Sequence, residues 1–497
     1  MAPHATTPLN WDYFISQSGK RWEPSAIRGL FPLEKIPGMV SLLAGKPNAE
    51  TFPFSAITVS LKPIVLLHFS VLHPPVPLTP PSPAPQIPTD QPEQLVVESE
   101  ALTEGLQYGP TAGLGGLVKW LENLQEKRHQ RALDGSWRVS VGSGSQDLIN
   151  KAFCSLINDG DSVLLESPVY SGTLGLLKQH NCDLIVTSTD SESLAEVSVD
   201  TAGMRPDALE DILANWTAKF PGKRFPKLLY TIPTGSNPTG CSSPLERREK
   251  ILSLVRQYNL LLLEDDAYHY LSFDPENITP SYFELEARSG GETGRVVRFD
   301  SFSKILSSGM RLGFLTAAKP LVDIVDLHTA NTNLQPSSTT QAMVLVLLNK
   351  WGLDGFLAHT RRVAAFYKAK RDMFEKVAHK YLDGLASWVS PDAGMFVRPF
   401  LPLVPPPSSA LTPRTRARKL FLDLHLTTDG TAGDSSSLIS TTAVQKGVLA
   451  VPGVGFLPNG GVSSFVRVSF SLATEEDAEL AFQRLRACVL EARGGKA

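Results

Sequence analysis

The sequence predicts an α/β fold built on a mostly parallel β-sheet with helices on both faces. Two observations support this prediction. Apolar runs of about four to six residues alternate with helical patterns through the middle of the 497-residue chain. These runs are almost continuously hydrophobic, which is typical of strands buried on both faces of a parallel sheet. Ligands of such sheets bind at the carboxyl ends of the strands, so candidate functional residues are expected just after each strand.

The predicted elements follow one another along the chain. The predicted strands are Arg138–Val141, Asp161–Leu165, Asp183–Val186, Lys227–Ile232, Leu260–Leu263, Arg295–Phe299 and, near the end, Phe465–Ser471. The predicted helices are one with Leu148, Ile149, Ala152, Phe153 and Leu156 on a single face, one near Thr173–Gln179, and one over Leu245–Tyr258. The spacing of the apolar residues in the first of these helices matches the helical period.

Two stretches depart from this alternation. Residues from about Lys62 to Gln94 end in a proline-dense tract, which predicts an exposed loop or disorder. Its apolar beginning, Ile64–Leu72, is either a short strand or an insertion outside the core, and a retained, translated intron is one alternative. The second stretch, Leu401–Ser436, is interpreted as a loop around one amphipathic helix near Arg414–Leu424.

Composition excludes several classes of protein. The formal net charge of -3 provides no basic field for nucleic acid or anionic membranes. The four cysteines are scattered, without a CxxC pair or a histidine at metal-ligand spacing, so reduced thiols and no metal are expected. We find no signal peptide, transit peptide or apolar run long enough to span a membrane. Elimination predicts a cytoplasmic protein.

Polar residues follow several predicted strands. The turn Gly142–Gln146 opens a helix, so it is either a tight turn or an anion site, to which Ser145 and Gln146 could contribute donors. Tyr170 is either a core residue or a stacking platform for a flat ligand. Asn237 precedes a proline and is either a turn residue or an amide held toward a site.

Charged residues follow the later strands. Glu264–Asp266 form either a solvated loop or a carboxylate buried against a cation such as a ring nitrogen. Lys304 lies among apolar and hydroxyl residues, a setting that lowers the pKa of an amine and makes it a nucleophile toward aldehydes. Ser301, Ser303 and Arg311 are donors suited to phosphate. Arg467 in an apolar strand either forms a structural ion pair or binds a substrate carboxylate.

In this order the motifs SGSQ, SPVY, NPTG, EDDAY, SFSK, RLGF and RVSF resemble the fold-type I pyridoxal 5′-phosphate (PLP) aminotransferases of class I/II. The resemblance runs from about Trp22 to Leu490, without the two irregular stretches. It is greatest to fungal aromatic amino acid aminotransferases and to 2-aminoadipate/kynurenine aminotransferases. It implies a large domain with a seven-stranded sheet and a smaller α+β domain.

The resemblance also implies a role for each matching residue. Lys304 would form the covalent link to PLP and move the substrate proton, and Asp265 would pair with the ring nitrogen. Tyr268 and Asn237 would hydrogen-bond the ring hydroxyl, with Asn237 also near the substrate, and Tyr170 would stack on the ring. The phosphate would be held by Ser145, Gln146, Ser301, Ser303 and Arg311, and the substrate α-carboxylate by Arg467.

Two matches lie before the sheet. Gln107–Gly113 resembles the family segment whose tyrosine, here Tyr108, reaches the phosphate of a neighbouring subunit, which implies a homodimer. Ser25–Arg28 and Leu42–Asn48 resemble the N-terminal segment that covers the substrate. Within these segments Gly45 would line the substrate site, and Arg28 would meet a distal carboxylate.

These interpretations predict four regions and one leading hypothesis. Residues 1–60 form an N-terminal segment with part of the small domain, 61–100 the proline-rich insertion, 101–350 the large PLP-binding domain, and 351–497 the small domain. The hypothesis is transfer of the amino group of tyrosine, phenylalanine or tryptophan to 2-oxoglutarate. Alternatives are 2-aminoadipate or kynurenine as donor, β-elimination or other PLP chemistry, an aminotransferase-like regulator, and a cofactor-free pseudoenzyme.

Overall fold

A computed structural model provides the structure of the chain. It describes residues 9–24, 30, 33, 36–39, 45–62, 93–186, 202–397, 419–424, 426 and 433–494. The predicted substrate residue Arg28, the proline-dense tract and most of the second irregular stretch therefore lie outside the described residues.

The described residues form the following strands and α-helices. The strands are β1 (Ala56–Ser60), β2 (Gln94–Glu98), β3 (Trp137–Gly142), β4 (Ser162–Leu165), β5 (Asp183–Val186), β6 (Leu228–Thr231), β7 (Leu261–Asp265), β8 (Val296–Ser301), β9 (Gly313–Ala318), β10 (Ala386–Val389), β11 (Phe396–Val397), β12 (Lys419–Leu424), β13 (Val451–Pro452) and β14 (Phe465–Ser469). The helices are α1 (Trp11–Phe14), α2 (Ser99–Leu106), α3 (Gly115–Arg128), α4 (Ser145–Leu156), α5 (Ser171–Leu177), α6 (Pro206–Ala214), α7 (Trp216–Lys219), α8 (Leu245–Gln257), α9 (Tyr282–Arg288), α10 (Lys319–Thr332), α11 (Ser338–Leu382), α12 (Ser435–Ser437) and α13 (Glu475–Ala492).

The main sheet has seven strands in the order β3-β9-β8-β7-β6-β4-β5. Neighbouring strands from β8 to β5 are parallel, and β9 alone runs antiparallel to both of its neighbours. The predicted mostly parallel sheet of seven strands is therefore confirmed. All residues of β4, β6, β7, β8 and β9 are buried, as expected for strands covered on both faces.

A second sheet and a second hydrophobic core lie toward the carboxyl end. Strands β10, β12, β14 and β11 pair antiparallel, and β13 pairs with β14. The core beside them includes Phe374 of α11, Val466 of β14 and Phe482 of α13. The long helix α11 joins both cores and is divided at Gly352, whose φ of 62° is not helical. The domain limits predicted above stay predictions.

One sequence prediction in this region is wrong. The sequence predicts a helix near residues 414–424, but Lys419–Leu424 form strand β12, between β10 and β14. Residues 414–418 lie outside the described part of the chain. Short apolar runs fit helix and strand alike, and here backbone pairing with two neighbouring strands decides between them.

Candidate active site

A cavity of about 440 Å³ lies at the carboxyl ends of the central strands. Eleven of the predicted site residues line it: Ser145, Gln146, Tyr170, Asn237, Asp265, Tyr268, Ser301, Ser303, Lys304, Arg311 and Arg467. Four further lining residues were not predicted: Ser171, Ile232, Ala267 and Ser308. The cavity thus brings together side chains from both predicted domains.

Strand β9 explains why Arg311 reaches this cavity. The parallel strands end at this edge of the sheet, whereas antiparallel β9 begins here at Gly313. Arg311, two residues earlier, has a left-handed backbone conformation with φ 49°. Its guanidinium donates to the Ser303 hydroxyl at 3.3 Å and to the carbonyl oxygens of Ser308 and Ser143 at 3.1 and 3.3 Å.

The turn before α4 approaches Arg311 closely. Gly144 caps this helix with φ 95°, and Ser145 is the first helical residue. A Cβ atom on Gly144 would lie 2.5 Å from Arg311 Nη2. The amino end of α4, the serine hydroxyls and Arg311 therefore form a cradle of hydrogen-bond donors for an anion.

We expect Gly144→Ala to weaken PLP binding by about tenfold or more. Alanine is strained at this φ, and its methyl group would displace the guanidinium that borders the cradle. The dissociation constant of PLP from the apoprotein measures the effect. Gly175→Ala is the control, because no heavy atom lies within 4 Å of a Cβ built there, in helix α5. A dissociation constant equal to that of the unsubstituted protein would contradict the prediction.

Lys304 lies in a 3₁₀ turn, Phe302–Lys304, directly after β8. Partial burial lowers the pKa of its amine, and the positive charges of Arg311 and Arg467 lower it further. The backbone after it is held by His359 of α11, whose Nε2 lies 2.7 Å from the carbonyl oxygen of Ile305. A lysine with a lowered pKa is a better nucleophile toward an aldehyde because more of it is neutral.

Side chains alternate along β7 and the residue after it, which separates the acidic residues Glu264, Asp265 and Asp266. Asp265 faces the cavity side, where its Oδ2 accepts a hydrogen bond from the Tyr230 hydroxyl at 2.6 Å. Glu264 and Asp266 face the opposite side and approach the buried Arg298 guanidinium at 3.3 and 2.9 Å. Asp265, the residue predicted to pair with a ring nitrogen, is therefore the one of the three that lines the cavity.

The second oxygen of Asp265 has a different environment. Oδ1 is buried, and no residue in the described part of the chain donates a hydrogen bond to it. Burial raises the pKa of Asp265 to about 6, although the hydrogen bond from Tyr230 lowers it. A buried carboxylate with one oxygen in need of a donor suits a protonated ring nitrogen.

Arg298 connects the ends of β7 and β8 on the face of the sheet opposite Asp265. Its guanidinium makes two 2.9 Å contacts to Asp300 in addition to those with Glu264 and Asp266, and all four side chains are buried. Burial raises the pKa of Asp266, but Arg298, His269 and Arg248 together more than reverse this, so the net pKa is lowered. His269 lies 3.3 Å from Asp266, and burial lowers its pKa to about 3.

We expect Arg298→Leu to lower the free energy of unfolding by about 3–5 kcal/mol, because three buried carboxylates lose their cation. Urea denaturation followed by circular dichroism measures the loss. The control is Lys376→Leu, which removes the exposed pair with Glu475 and should cost at most about 1 kcal/mol. Equal stabilities of the two variants would show that the Arg298 cluster does not stabilise the fold.

Aromatic and polar side chains close the rest of the cavity. Tyr170 follows β4 and packs over Gly172, where a Cβ atom would lie 2.4 Å from its ring. Tyr268 is buried, and burial together with nearby Asp265 raises the pKa of its hydroxyl. Arg467 donates to Asn237 Oδ1 at 3.2 Å and lies 5.0 Å from the centre of the Phe456 ring.

Two of the other predicted residues lie outside the cavity lining. Tyr108 is 51 % exposed, and Gly45 has no heavy atom within 4 Å of a Cβ built on it. Their predicted roles involve a second subunit and the N-terminal segment. Arg28 of that segment is outside the described residues. These roles stay predictions.

Two residues without a predicted role contact the acidic residues at the end of β7. Tyr230 contacts Asp265. Arg298 pairs with Glu264 and Asp266, the residues on either side of Asp265 in the sequence. Polar residues inside the apolar strands Lys227–Ile232 and Arg295–Phe299 were the available signal. Their partners became visible only when the strands were placed side by side.

The residues present fit PLP. The donor cradle at Gly144 suits its phosphate, Lys304 its aldehyde, and the Asp265 oxygen without a donor its protonated ring nitrogen. A cofactor-free pseudoenzyme would have no need for this combination. The assignment of each residue to each group remains a proposal.

Comparison with known proteins agrees with this fit. The sequence model of the family "Aminotransferase class I and II" matches residues 88–485. The chain is similar to aminotransferase tdiD of Emericella nidulans, with 41% identity over 97% of this chain and 95% of that protein. It is 34% identical to the mitochondrial kynurenine/alpha-aminoadipate aminotransferase of Bos taurus over 97% of this chain and 100% of that protein.

A solved structure shares the fold. The aromatic aminotransferase Aro9 of Candida albicans superposes with a TM-score of 0.73 and 25% identity, over 97% of both chains. The protein therefore belongs to the class I and II aminotransferases of PLP fold type I, enzymes whose cofactor is pyridoxal 5′-phosphate.

Proposed function

We propose that this enzyme transfers the amino group of an aromatic L-amino acid to 2-oxoglutarate, giving the aromatic 2-oxo acid and L-glutamate. The observation that carries the proposal is the single cavity shared by Lys304, Asp265 and Arg467. It combines a nucleophilic amine, a carboxylate for a ring nitrogen and a cation for a substrate carboxylate.

Each side chain has a distinct task in the proposed reaction. Bound PLP supplies an electron sink for the negative charge that develops at the substrate Cα. Lys304 Nζ would hold the PLP aldehyde and, as a free amine, would carry the proton between the substrate Cα and the aldehyde carbon C4′. Asp265 would keep the ring nitrogen protonated, and Tyr170 would cover the ring face. Tyr268 and Asn237, which also line the cavity, would hydrogen-bond the ring hydroxyl.

The apolar part of the cavity lining supports an aromatic donor. Tyr170, Ile232 and Ala267 offer apolar surface. In the described part of the cavity the cationic side chains are Lys304, Arg311 and Arg467, which are proposed to serve the covalent link, the phosphate and the α-carboxylate. We assign the distal carboxylate of 2-oxoglutarate to Arg28 of the N-terminal segment.

A second candidate is transfer from 2-aminoadipate or kynurenine. It is favoured by the 34% identity to the Bos taurus enzyme, whose name specifies these substrates. A distal carboxylate on the donor would then use the same N-terminal cation as 2-oxoglutarate.

A panel of single amino acids separates these candidates. The purified enzyme with PLP and 2-oxoglutarate is incubated with each amino acid, and L-glutamate is measured. The aromatic proposal expects tyrosine, phenylalanine and tryptophan to be the best donors. Glutamate from 2-aminoadipate or kynurenine alone would replace it with the second candidate. No glutamate from any donor would overturn both, and the Lys304→Ala variant provides the background rate.

We expect Arg467→Met to raise the KM for the amino acid by about tenfold or more while leaving the PLP content unchanged. A paired guanidinium–carboxylate contact is lost, whereas the phosphate and ring contacts stay in place. Steady-state kinetics and absorbance at roughly 330–430 nm, where PLP absorbs, measure the two quantities. Arg486→Met, at an exposed arginine of helix α13, is the control. An unchanged KM would remove Arg467 from the substrate site.

We also propose a homodimer and a cytoplasmic location. Tyr108, half-exposed in a single chain, is assigned to the phosphate site of a second subunit. None of the described helices is long and apolar enough to cross a membrane.

A further inference from the structure

Tyr230 lies behind the cavity and makes a buried contact with Asp265. It belongs to β6, its side chain is fully buried, and it does not line the cavity. Its hydroxyl donates to Asp265 Oδ2 at 2.6 Å and accepts from Thr173 Oγ1 at 2.9 Å. A chain of two hydrogen bonds therefore links helix α5 through β6 to the carboxylate at the end of β7.

The register of the sheet makes this contact possible. Tyr230 is paired with Leu263 of the parallel strand β7. Side chains two residues apart on a strand share a face, so Asp265 lies on the same face as Leu263 and one step closer to the cavity. The Tyr230 hydroxyl thereby reaches Asp265 Oδ2 from behind the cavity.

The two oxygens of Asp265 are not equivalent as a result. Oδ2 is taken by Tyr230, while Oδ1 has no donor among the described residues. Burial and the neighbouring Asp265 raise the pKa of Tyr230 well above its usual range, so the phenol keeps its proton and remains a donor. A donor to one oxygen stabilises the ionised carboxylate and fixes its rotation.

We propose that Tyr230 is a positioning residue that holds Asp265 ionised and leaves Oδ1 for the ring nitrogen of PLP. Tyr230 acts only through Asp265 and contacts neither cofactor nor substrate. The inference rests on the proposed pairing of Asp265 with that nitrogen. A purely structural role, in which the ring fills the core, is the competing explanation.

A cofactor analogue distinguishes the two roles. In 1-deaza-PLP a CH group replaces the ring nitrogen, so the analogue keeps the phosphate and aldehyde but cannot form the proposed pair. Dissociation constants of PLP and of this analogue are measured for the apoprotein and for Tyr230→Phe. We expect the variant to bind PLP about 10- to 100-fold more weakly, the size of a lost hydrogen bond to a charged group, and to bind the analogue about as well as the unsubstituted protein.

Tyr270→Phe is the matched control. Tyr270 is also buried, but its hydroxyl has no hydrogen-bond partner among the described residues. Its removal should change neither dissociation constant. Thr173→Val removes the other end of the hydrogen-bond chain, and a smaller selective loss of PLP affinity is expected. This variant keeps the test decisive if Tyr230→Phe does not fold.

Three results would overturn the inference. Equal weakening of PLP and analogue in Tyr230→Phe would show a structural role, and unchanged PLP affinity would show no role. Equal affinity of the unsubstituted protein for both compounds would remove the pairing on which the inference rests. These measurements need no turnover, so they are separate from the glutamate assay that tests the proposed amino transfer.

Discussion

The variant Lys304→Ala is expected to lose covalent attachment of PLP and at least about 10³-fold in the rate of amino transfer, since a positioned proton-transfer group contributes up to about 10⁴-fold. The amine is the one lysine side chain among the cavity residues described. Burial and two neighbouring arginines lower its pKa, which favours the neutral nucleophile. Alanine can neither bond the aldehyde nor move the proton at Cα.

Mass spectrometry after borohydride reduction measures the attachment, and a glutamate assay measures the rate. The unsubstituted protein should gain the mass of a reduced phosphopyridoxyl group, and Lys304→Ala should not. Lys319→Ala, at an exposed lysine that begins α10, should behave as the unsubstituted protein. Retention of the added mass in Lys304→Ala would place the covalent link on another residue.

The second large effect is expected for Asp265→Asn, with a loss of about 10²–10³-fold in kcat. Asparagine has the same shape but no charge, so it does not hold the proton on the ring nitrogen, and a buried electrostatic contact of this kind is worth that factor. Lys304 is unchanged in the variant. Covalent attachment of PLP should therefore persist while turnover falls.

Retained attachment of PLP with reduced turnover would distinguish the role of Asp265 from that of Lys304. Attachment is followed by reduction and mass, and turnover by the rate of glutamate formation. Asp274→Asn is the control, because Asp274 is exposed after the same strand and hydrogen-bonds Asn277 outside the cavity. A kcat of Asp265→Asn within about threefold of the unsubstituted value would remove the proposed role of Asp265 at the ring nitrogen.

Much of the fold could be predicted from the order of apolar runs. Six predicted strands match β3 to β8 within a few residues, because a strand buried on both faces needs a continuous apolar run. Strand β9 was not predicted, although it lies inside the sheet between β3 and β8. Its direction is opposite to that of its neighbours, and no local pattern records direction.

The absence of information about distant strands in a local pattern also explains why the helix prediction near residues 414–424 is wrong. Its described part, Lys419–Leu424, pairs with β10 and β14, which come from segments before and after it in the chain. A short apolar run has no period long enough to distinguish helix from strand. The partner strands determine the outcome, and they are distant in sequence.

By itself the sequence determined which segments become strands and which polar residues lie at or after their ends, including Asp265 and Lys304, and it placed Arg467 inside the last strand. The local sequence is sufficient to predict these features, because continuous apolar runs and turn residues can be recognised from neighbouring residues alone. Only the tertiary structure decided which side chains meet. Strand register put Tyr230 on Asp265 and Arg298 against three carboxylates, and antiparallel β9 brought Arg311 to the cavity. Such contacts depend on the pairing of distant strands, whose positions are set by the whole sheet.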